Sequence, residues 1–360
     1  MTEAIIRNVK IAGISTVVGN IVEDIDDLDY LYGDLDKINK LKTVIGLNRI
    51  HKVDKETTSL DLCLAASKKL INEMEINTND IDVLIFVTQT PDHYLPSNAA
   101  IVHKKLSLKE NCACFDVNQG CSGYVYGLWL AASIMSSSTT KNVLLLAGDT
   151  MTRAVNKGDK SCRPLFGDSG TCTLLIKEIK FSDSYFTLNT DGSGNESIII
   201  PAGGFRYPNS SLTKIEKEDS DNNIKSMENL HMIGTKVFNF AIKRVPESVE
   251  RVLKLSGFED KDIDYYLFHQ PNKFVIEKII KKLGIDGSKV PRETVGKYGN
   301  QGPSSIPSTI SDAISTEVQK NKRKLLLCGF GTGFSWASAI LDLEKIYCPK
   351  PIRYENNATE

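Results

Sequence analysis

The sequence predicts an α/β protein built on a mainly parallel sheet, and three observations carry that prediction. Runs apolar at nearly every position, Asp82–Thr88 (DVLIFVT) and Val143–Ala147 (VLLLA), mark strands buried on both faces. These runs alternate with segments of helical periodicity, the pattern of successive strand–helix units. The third observation is an internal echo. INEMEINTNDIDVLIFVTQTP in the first half resembles VLKLSGFEDKDIDYYLFHQPN in the second, and Asn142–Gly148 (NVLLLAG) resembles Arg323–Gly329 (RKLLLCG). The longer pair passes from a helix through an acidic turn (Asp80-Ile81-Asp82; Asp262-Ile263-Asp264) into a buried strand. A unit repeated at half-chain distance predicts two similar halves packed together.

Taken in order, Ile5–Ile14 reads as a first strand ended by Gly13, and Asp24–Leu41 as helical segments with loops. Thr57–Met74 is a helix: Leu60, Leu62, Ala65, Ala66, Leu70 and Ile71 recur at helical spacing behind a Thr57-Thr58-Ser59 start. Asn98–Leu106 is a further helix. Cys114–Val117 is a short β-prone run, closed by a tight Asn118-Gln119-Gly120 turn. The segment after it, with Tyr124, Val125, Leu128, Trp129, Leu130, Ala131, Ile134 and Met135, is apolar all round, so it reads as a buried helix. Gly123 and Gly127 share one face of that helix and would let another backbone approach. Gly192–Ile224 reads as surface loops, and the chain from Pro349 as a loose polar tail.

The totals exclude several function classes. The 360 residues are 41% hydrophobic and 25% charged, with a formal net charge of −1. No global field favours nucleic acid or an anionic membrane. No apolar run approaches the roughly 18 residues needed to span a bilayer, and no signal-peptide pattern opens the chain, so a cytoplasmic protein is expected. Eight cysteines (63, 112, 114, 121, 162, 172, 328, 348) are expected reduced. They lack the paired spacings of a zinc site, so no metal is expected.

Three stretches carry the chemistry. Cys121 falls where a strand turns into the first turn of the buried helix, a position where free N–H groups and the positive dipole end favour a thiolate nucleophile. His269, in Phe268-His269-Gln270-Pro271-Asn272, follows the Tyr265–Phe268 strand and points into the crevice at a strand's carboxyl end. Asn300 lies in the glycine-flanked turn Tyr298-Gly299-Asn300-Gln301-Gly302-Pro303-Ser304-Ser305, which can hold it in an unusual backbone geometry and then open a helix. His51, His93, His103 and His231 have no comparable setting and read as structural.

With Gly329-Phe330-Gly331-Thr332-Gly333-Phe334 and Phe166-Gly167-Asp168-Ser169-Gly170, these motifs resemble the β-ketoacyl-ACP synthase III family of the thiolase superfamily. The resemblance runs from about Ile5 to Ile346. It implies a duplicated five-layer αβαβα thiolase-like fold, with one half over 1–177, the other over 178–347 and a tail over 348–360. It implies a homodimer and an acyltransferase. An acyl thioester would load Cys121, and decarboxylative Claisen condensation with a malonyl thioester, as malonyl-ACP, would follow. His269 and Asn300 would complete the triad, the N–H groups of Cys121 and Thr332 would form the oxyanion hole, and Leu95 would lie near the acyl pocket at the dimer contact.

No cofactor is implied beyond the acyl-CoA or acyl-ACP and malonyl-ACP substrates. An acyl carrier protein is the expected partner, met by Asn272, Lys273, Lys278, Lys281 and Lys282 on the helix after His269, and by Lys160. Thr332 stands where the family has glycine. Lys40 and Val44 stand where housekeeping members sandwich the coenzyme A adenine between Trp and Arg, so a specialised pathway is equally open. Alternative readings are transfer of the Cys-bound acyl group to an alcohol or amine, a thiol hydrolase, and a catalytically silent subunit that binds a carrier protein.

Overall fold

Packing decides the architecture. A computed structural model describes residues 2–356. One six-stranded sheet runs in the order Ile352–Arg353, Val9–Val18, Ser169–Lys177, Asn142–Asp149, Val83–Val87, Ala113–Val117. A five-stranded sheet runs Thr2–Ile6, Ser184–Thr190, Ser335–Glu344, Lys322–Gly331, Tyr265–Phe268. Alternation along each strand fills both faces. Val83, Ile85 and Val87 join one core cluster while Leu84 and Phe86 join another. In the second sheet, Leu325, Leu327 and Leu267 point to that first cluster, and Leu326, Cys328, Tyr266 and Phe268 to a third.

The clusters stack as five layers. Helices Ser59–Glu73 and Asn98–Lys105 cover the outer face of the six-stranded sheet. Helices Gly123–Ser137 and Ser305–Ala313 lie between the sheets, supplying Tyr124, Val125, Leu128, Ile306 and Ile310 to the shared core. Helices Gly234–Ser256 and Lys273–Leu283 cover the outer face of the second sheet. Among the described residues the two middle helices are covered by a sheet on each side, which is why the first of them is apolar all round.

The internal echo corresponds to equivalent topology. Val83–Val87 pairs parallel with Asn142–Asp149 in one sheet, and Tyr265–Phe268 pairs parallel with Lys322–Gly331 in the other. Elsewhere the mainly parallel expectation gives way to mixed sheets. Ser169–Lys177 returns antiparallel to Asn142–Asp149, and Ser335–Glu344 folds back on Lys322–Gly331 through a three-residue hairpin loop.

Three local readings are corrected. The first strand is two strands: Thr2–Ile6 joins the second sheet, while Val9–Val18 runs through Gly13 with a register irregularity at Ile11/Gly13 and joins the first. Gly13 therefore marks a bulge rather than an end. The tail is not loose as far as it is described. Ile352 and Arg353 pair parallel with Val17 and Val18, and the Tyr354 N–H donates to the Val18 carbonyl at 2.8 Å. Residues 357–360 of that expected tail lie outside the described residues. Finally, Gly123 and Gly127 admit side chains rather than a backbone: a Cβ on them would meet Val87 Cγ1 at 2.5 Å and Leu145 Cδ1 at 2.6 Å. No helix among the described residues is long and apolar enough to cross a membrane.

Candidate active site

The carboxyl ends of five strands point to one place. Val83–Val87 leads to Gln89, Ala113–Val117 to Cys121, Asn142–Asp149 ends in Asp149, Tyr265–Phe268 leads to His269, and Lys322–Gly331 to Thr332. All five groups line a single cavity of about 490 Å³, together with Asn300 and Gly302. Such crevices are where α/β sheets place ligands. The cavity is otherwise mostly apolar, walled by residues such as Met151, Phe166, Ile198, Leu230 and Phe238.

Cys121 is partly accessible, and its setting depends on glycines from the far sheet. A Cβ on Gly331 would lie 2.7 Å from Cys121 Cβ and 2.8 Å from Sγ, and one on Gly329 would lie 2.8 Å from the Cys121 carbonyl oxygen. Real Cβ atoms do not approach so closely, so only glycine lets this strand end lie across the nucleophile. The next residue, Thr332, aims its backbone N–H at the sulfur. Threonine is tolerated there because the left-handed geometry falls on its neighbour Gly333, at φ 133°.

The thiolate expected from the helix end is not the resting state. Burial, then the Asp149 carboxylate, pushes the Cys121 thiol up to about 12, while the N–H groups of Thr332 and of Cys121 itself act the other way. Its proton must therefore leave as the new bond forms.

His269 is 2% exposed, and its Nδ1 lies 2.7 Å from Ser305 Oγ. Its backbone N–H donates to the Cys328 carbonyl at 2.8 Å, and the ring stands edge-on to Phe330. Burial pushes its pKa down to about 3, so the imidazole is neutral at physiological pH. Asn300 is held by its main chain: its N–H donates to Leu165 at 2.7 Å and its carbonyl accepts from Gly167 at 3.0 Å. Positive φ falls on Gly299 (82°) and Gly302 (55°) rather than on Asn300 itself, so the unusual geometry expected of it sits on its glycine neighbours. The Asn300 side-chain oxygen accepts from the Gly302 N–H at 3.0 Å. That bond fixes the amide so that its NH₂ is the group left to donate into the cavity.

Asp149 was not singled out from sequence. Its Oδ1 accepts from Thr88 Oγ1 and the Gln89 N–H, both at 2.8 Å, and from the Thr90 N–H at 3.1 Å and Thr90 Oγ1 at 3.0 Å. Burial nevertheless raises its pKa to about 6, against those hydrogen bonds. The one available signal was a charged residue closing an otherwise apolar strand. Gln89 carried no sequence signal, and Ser305 none beyond closing the Asn300 turn, because their places depend on tertiary contacts.

Lys273, Lys278, Lys281, Lys282 and Lys160 do not line the cavity. Asn272 caps the helix Lys273–Leu283, accepting from the Val275 N–H at 2.9 Å, and lines the cavity. Lys273 pairs with Glu293 at 3.1 Å, and Lys278 lies 5.0 Å from the Phe274 ring centroid. Lys278, Lys281 and Lys282 are exposed. The segment carrying Lys40 and Val44 adjoins this helix, because Gly46 abuts the Lys273 side chain. The Lys160 carbonyl accepts from the Tyr32 hydroxyl, and neither residue lines the cavity. Leu95 does not line the cavity of its own chain; it is 79% exposed. His51, His103 and His231 bond to the backbone carbonyls of Gly19, Lys109 and Ser226, and neither they nor His93 line the cavity.

Comparison with known proteins agrees with this geometry. Residues 115–192 match the family model described as 3-oxoacyl-[acyl-carrier-protein] synthase III, and residues 253–343 match the model of its C-terminal part. A Clostridium perfringens relative named β-ketoacyl-[acyl-carrier-protein] synthase III is 34% identical over 308 residues, covering 84% of this chain and 90% of its own. The chain belongs to the 3-oxoacyl-[acyl-carrier-protein] synthase III family. A Campylobacter jejuni protein, provisionally named a 3-oxoacyl-[acyl-carrier-protein] synthase 3, is 33% identical over 347 residues, covering 96% of this chain and 97% of its own. The crystal structure of a 3-oxoacyl-(acyl-carrier protein) synthase from Burkholderia xenovorans superposes with a TM-score of 0.92 at 34% identity, covering 98% of this chain and 99% of that one. The fold is therefore thiolase-like and the family activity is that of a condensing acyltransferase.

Proposed function

We propose that Cys121 accepts the acyl group of a thioester and that this acyl group then condenses with a malonyl thioester carried on an acyl carrier protein. The observation that supports this reading is the convergence of Cys121, His269 and Asn300 on one largely apolar cavity, with the Thr332 N–H directed at the sulfur. In the first half-reaction the Cys121 sulfur bonds to the acyl carbon, the old C–S bond breaks, and the Cys121 proton ends on the departing thiol. One thioester replaces another, so the step is nearly balanced. The N–H groups of Cys121 and Thr332 hold the carbonyl oxygen as it becomes an oxyanion.

In the second half-reaction the malonyl thioester loses CO₂ and its electrons pass to the thioester oxygen. His269 and Asn300 donate hydrogen bonds to that enolate. A neutral imidazole donates from one nitrogen only, and its ring meets both Ser305 Oγ at Nδ1 and the Gly302 carbonyl, which accepts from the ring. The enolate carbon attacks the acyl carbonyl, and Cys121 leaves as the thiolate, which takes a proton from water to restore the resting thiol. These steps balance without a cofactor.

The acting form is read as a cytoplasmic homodimer. Leu95, exposed beside the Tyr94–Phe205 ring pair, would be covered by a second copy near its acyl pocket. Lys278, Lys281, Lys282 and Lys160 are read as the basic surface for an acidic carrier protein, with Asn272 and Lys273 nearer the mouth. Lys40 and Val44 offer no aromatic ring to stack an adenine, so a carrier protein should be preferred to coenzyme A as acyl donor.

Intact mass after incubation with an acyl thioester tests the reading. A single adduct that is lost in Cys121→Ala supports it, and an adduct mapped to Cys112 or Cys114 overturns it. His269→Ala and Asn300→Ala should each slow malonyl decarboxylation by roughly a hundredfold or more, the cost of removing an oxyanion-type donor. Cys121 loading should suffer less in both.

A further inference from the structure

The cavity wall beside Cys121 carries a polar pair that the condensation does not use. Gln89 is fixed through its main chain, whose N–H donates to Asp149 Oδ1 at 2.8 Å. Its side chain then reaches over Gly120, the residue immediately before the nucleophile. A Cβ on Gly120 would lie 2.2 Å from Gln89 Oε1, 3.0 Å from its Cδ and 3.3 Å from Thr332 Oγ1. Gly120 is thus the opening that lets an amide and a hydroxyl converge next to Cys121. Their side chains make no hydrogen bond within the described protein: Gln89 is engaged through its backbone N–H, and the Thr332 carbonyl accepts from Ser335 Oγ at 2.9 Å. Both residues line the same cavity as Cys121, whose other walls are largely apolar.

An unpartnered amide in such a cavity costs desolvation when a purely hydrocarbon ligand covers it, and the cost vanishes when the ligand offers a partner. Consecutive Cα atoms are about 3.8 Å apart. A group lying over Gly120 is therefore within reach of a substituent on the first few carbons of an acyl group bound to Cys121.

We propose that Gln89, with the Thr332 hydroxyl beside it, selects acyl groups that carry a hydroxyl near the thioester, of the 3-hydroxyacyl type, over the corresponding saturated chains. The proposal rests on Cys121 being the loaded residue and adds the class of acyl group it takes. Gln89 acts as a specificity residue and not in bond making, so its removal should change the choice of acyl group and leave condensation otherwise intact.

The test compares loading rates, read by intact mass, for butyryl- and 3-hydroxybutyryl-pantetheine on the parent, Gln89→Met and Gln89→Leu, with melting temperatures as the control for folding. Pantetheine removes any influence of the carrier. The parent should load the hydroxylated chain about tenfold faster than butyryl, the worth of one hydrogen bond to a group otherwise left unpaired. Both variants should lose that preference while loading butyryl at least as fast as the parent. A parent that loads both chains alike, or a preference that survives in Gln89→Met, overturns the proposal. If one variant fails to fold, the other decides. Absence of any adduct from either thioester overturns the loading reading itself, and this proposal with it.

Discussion

At Cys121 the resting chemistry is set by a competition among neighbours. Burial and the Asp149 charge oppose the thiolate, and two backbone N–H groups favour it. Removing the like charge should shift that balance. Asp149→Asn keeps the oxygen that accepts four hydrogen bonds, so the local fold should survive. Alkylation of Cys121 by iodoacetamide at pH 7.5 should then be several-fold faster than in the parent; an unchanged rate would remove Asp149 from this account. Ser305 has a comparable indirect place as a positioning residue. Ser305→Ala frees His269 Nδ1, so the pH profile of malonyl decarboxylation should change shape and kcat should fall more than KM rises, with Ser305→Thr restoring both. Equal loss of stability and activity with an unchanged profile would reduce Ser305 to packing. Cys121, His269 and Asn300 were legible because each stands at a break in a pattern: a Gly-Cys-Ser-Gly turn, a histidine closing an apolar strand, an asparagine between glycines. Asp149, Gln89 and Ser305 were not, since their partners are 36 to 61 positions away along the chain.

Elements buried on both faces were the easiest to read, because no polar residue interrupts them. Val83–Val87 and Asn142–Asp149 stand within two residues of their expected bounds. The helix Ser59–Glu73 begins where its threonines indicated, with a Thr58/Asp61 capping box. What could not be read was pairing at a distance. Thr2–Ile6 and Val9–Val18 are parted by Arg7 and by Asn8 at φ 63°, and each strand joins a different sheet. The tail failed for the same reason, since Ile352 and Arg353 look like loop residues until Val17 and Val18 are seen to offer an edge. That edge makes a prediction. Truncation after Lys350 removes both paired residues and Tyr354, which packs on the core cluster of the outer helices. Lost backbone hydrogen bonds and burial should lower stability by about 1–2 kcal/mol in urea unfolding. A truncated chain as stable as the parent would mean that the strand adds nothing.

Among the buried titratable groups of the described residues, His269, Asp149 and Asp168 shift with different signs. His269 is pushed down to about 3 from an ordinary 6.5, so between those pH values the unfolded chain binds its proton and the folded chain does not. Its contribution is fully present above pH 6.5 and is lost as pH falls. Asp149 and Asp168 are each raised to about 6 by burial, so between roughly 4 and 6 the folded chain holds protons that the unfolded chain has released. Their contribution is present in acid and is lost as pH rises through 6. In the parent the two effects run in opposite directions between pH 4 and 6, and the stability curve there should be shallow. Replacing the imidazole exposes the carboxylates alone. Relative to the parent, His269→Gln should therefore gain stability steadily as pH falls from 7 to 4, by about 3 kcal/mol at pH 4 if the full shift is felt. Melting temperatures measured across that range check the sign directly. A His269→Gln curve that stays parallel to the parent from pH 7 to pH 4 would show that the imidazole takes up its proton in the folded protein, and that the five-layer core does not hold it neutral.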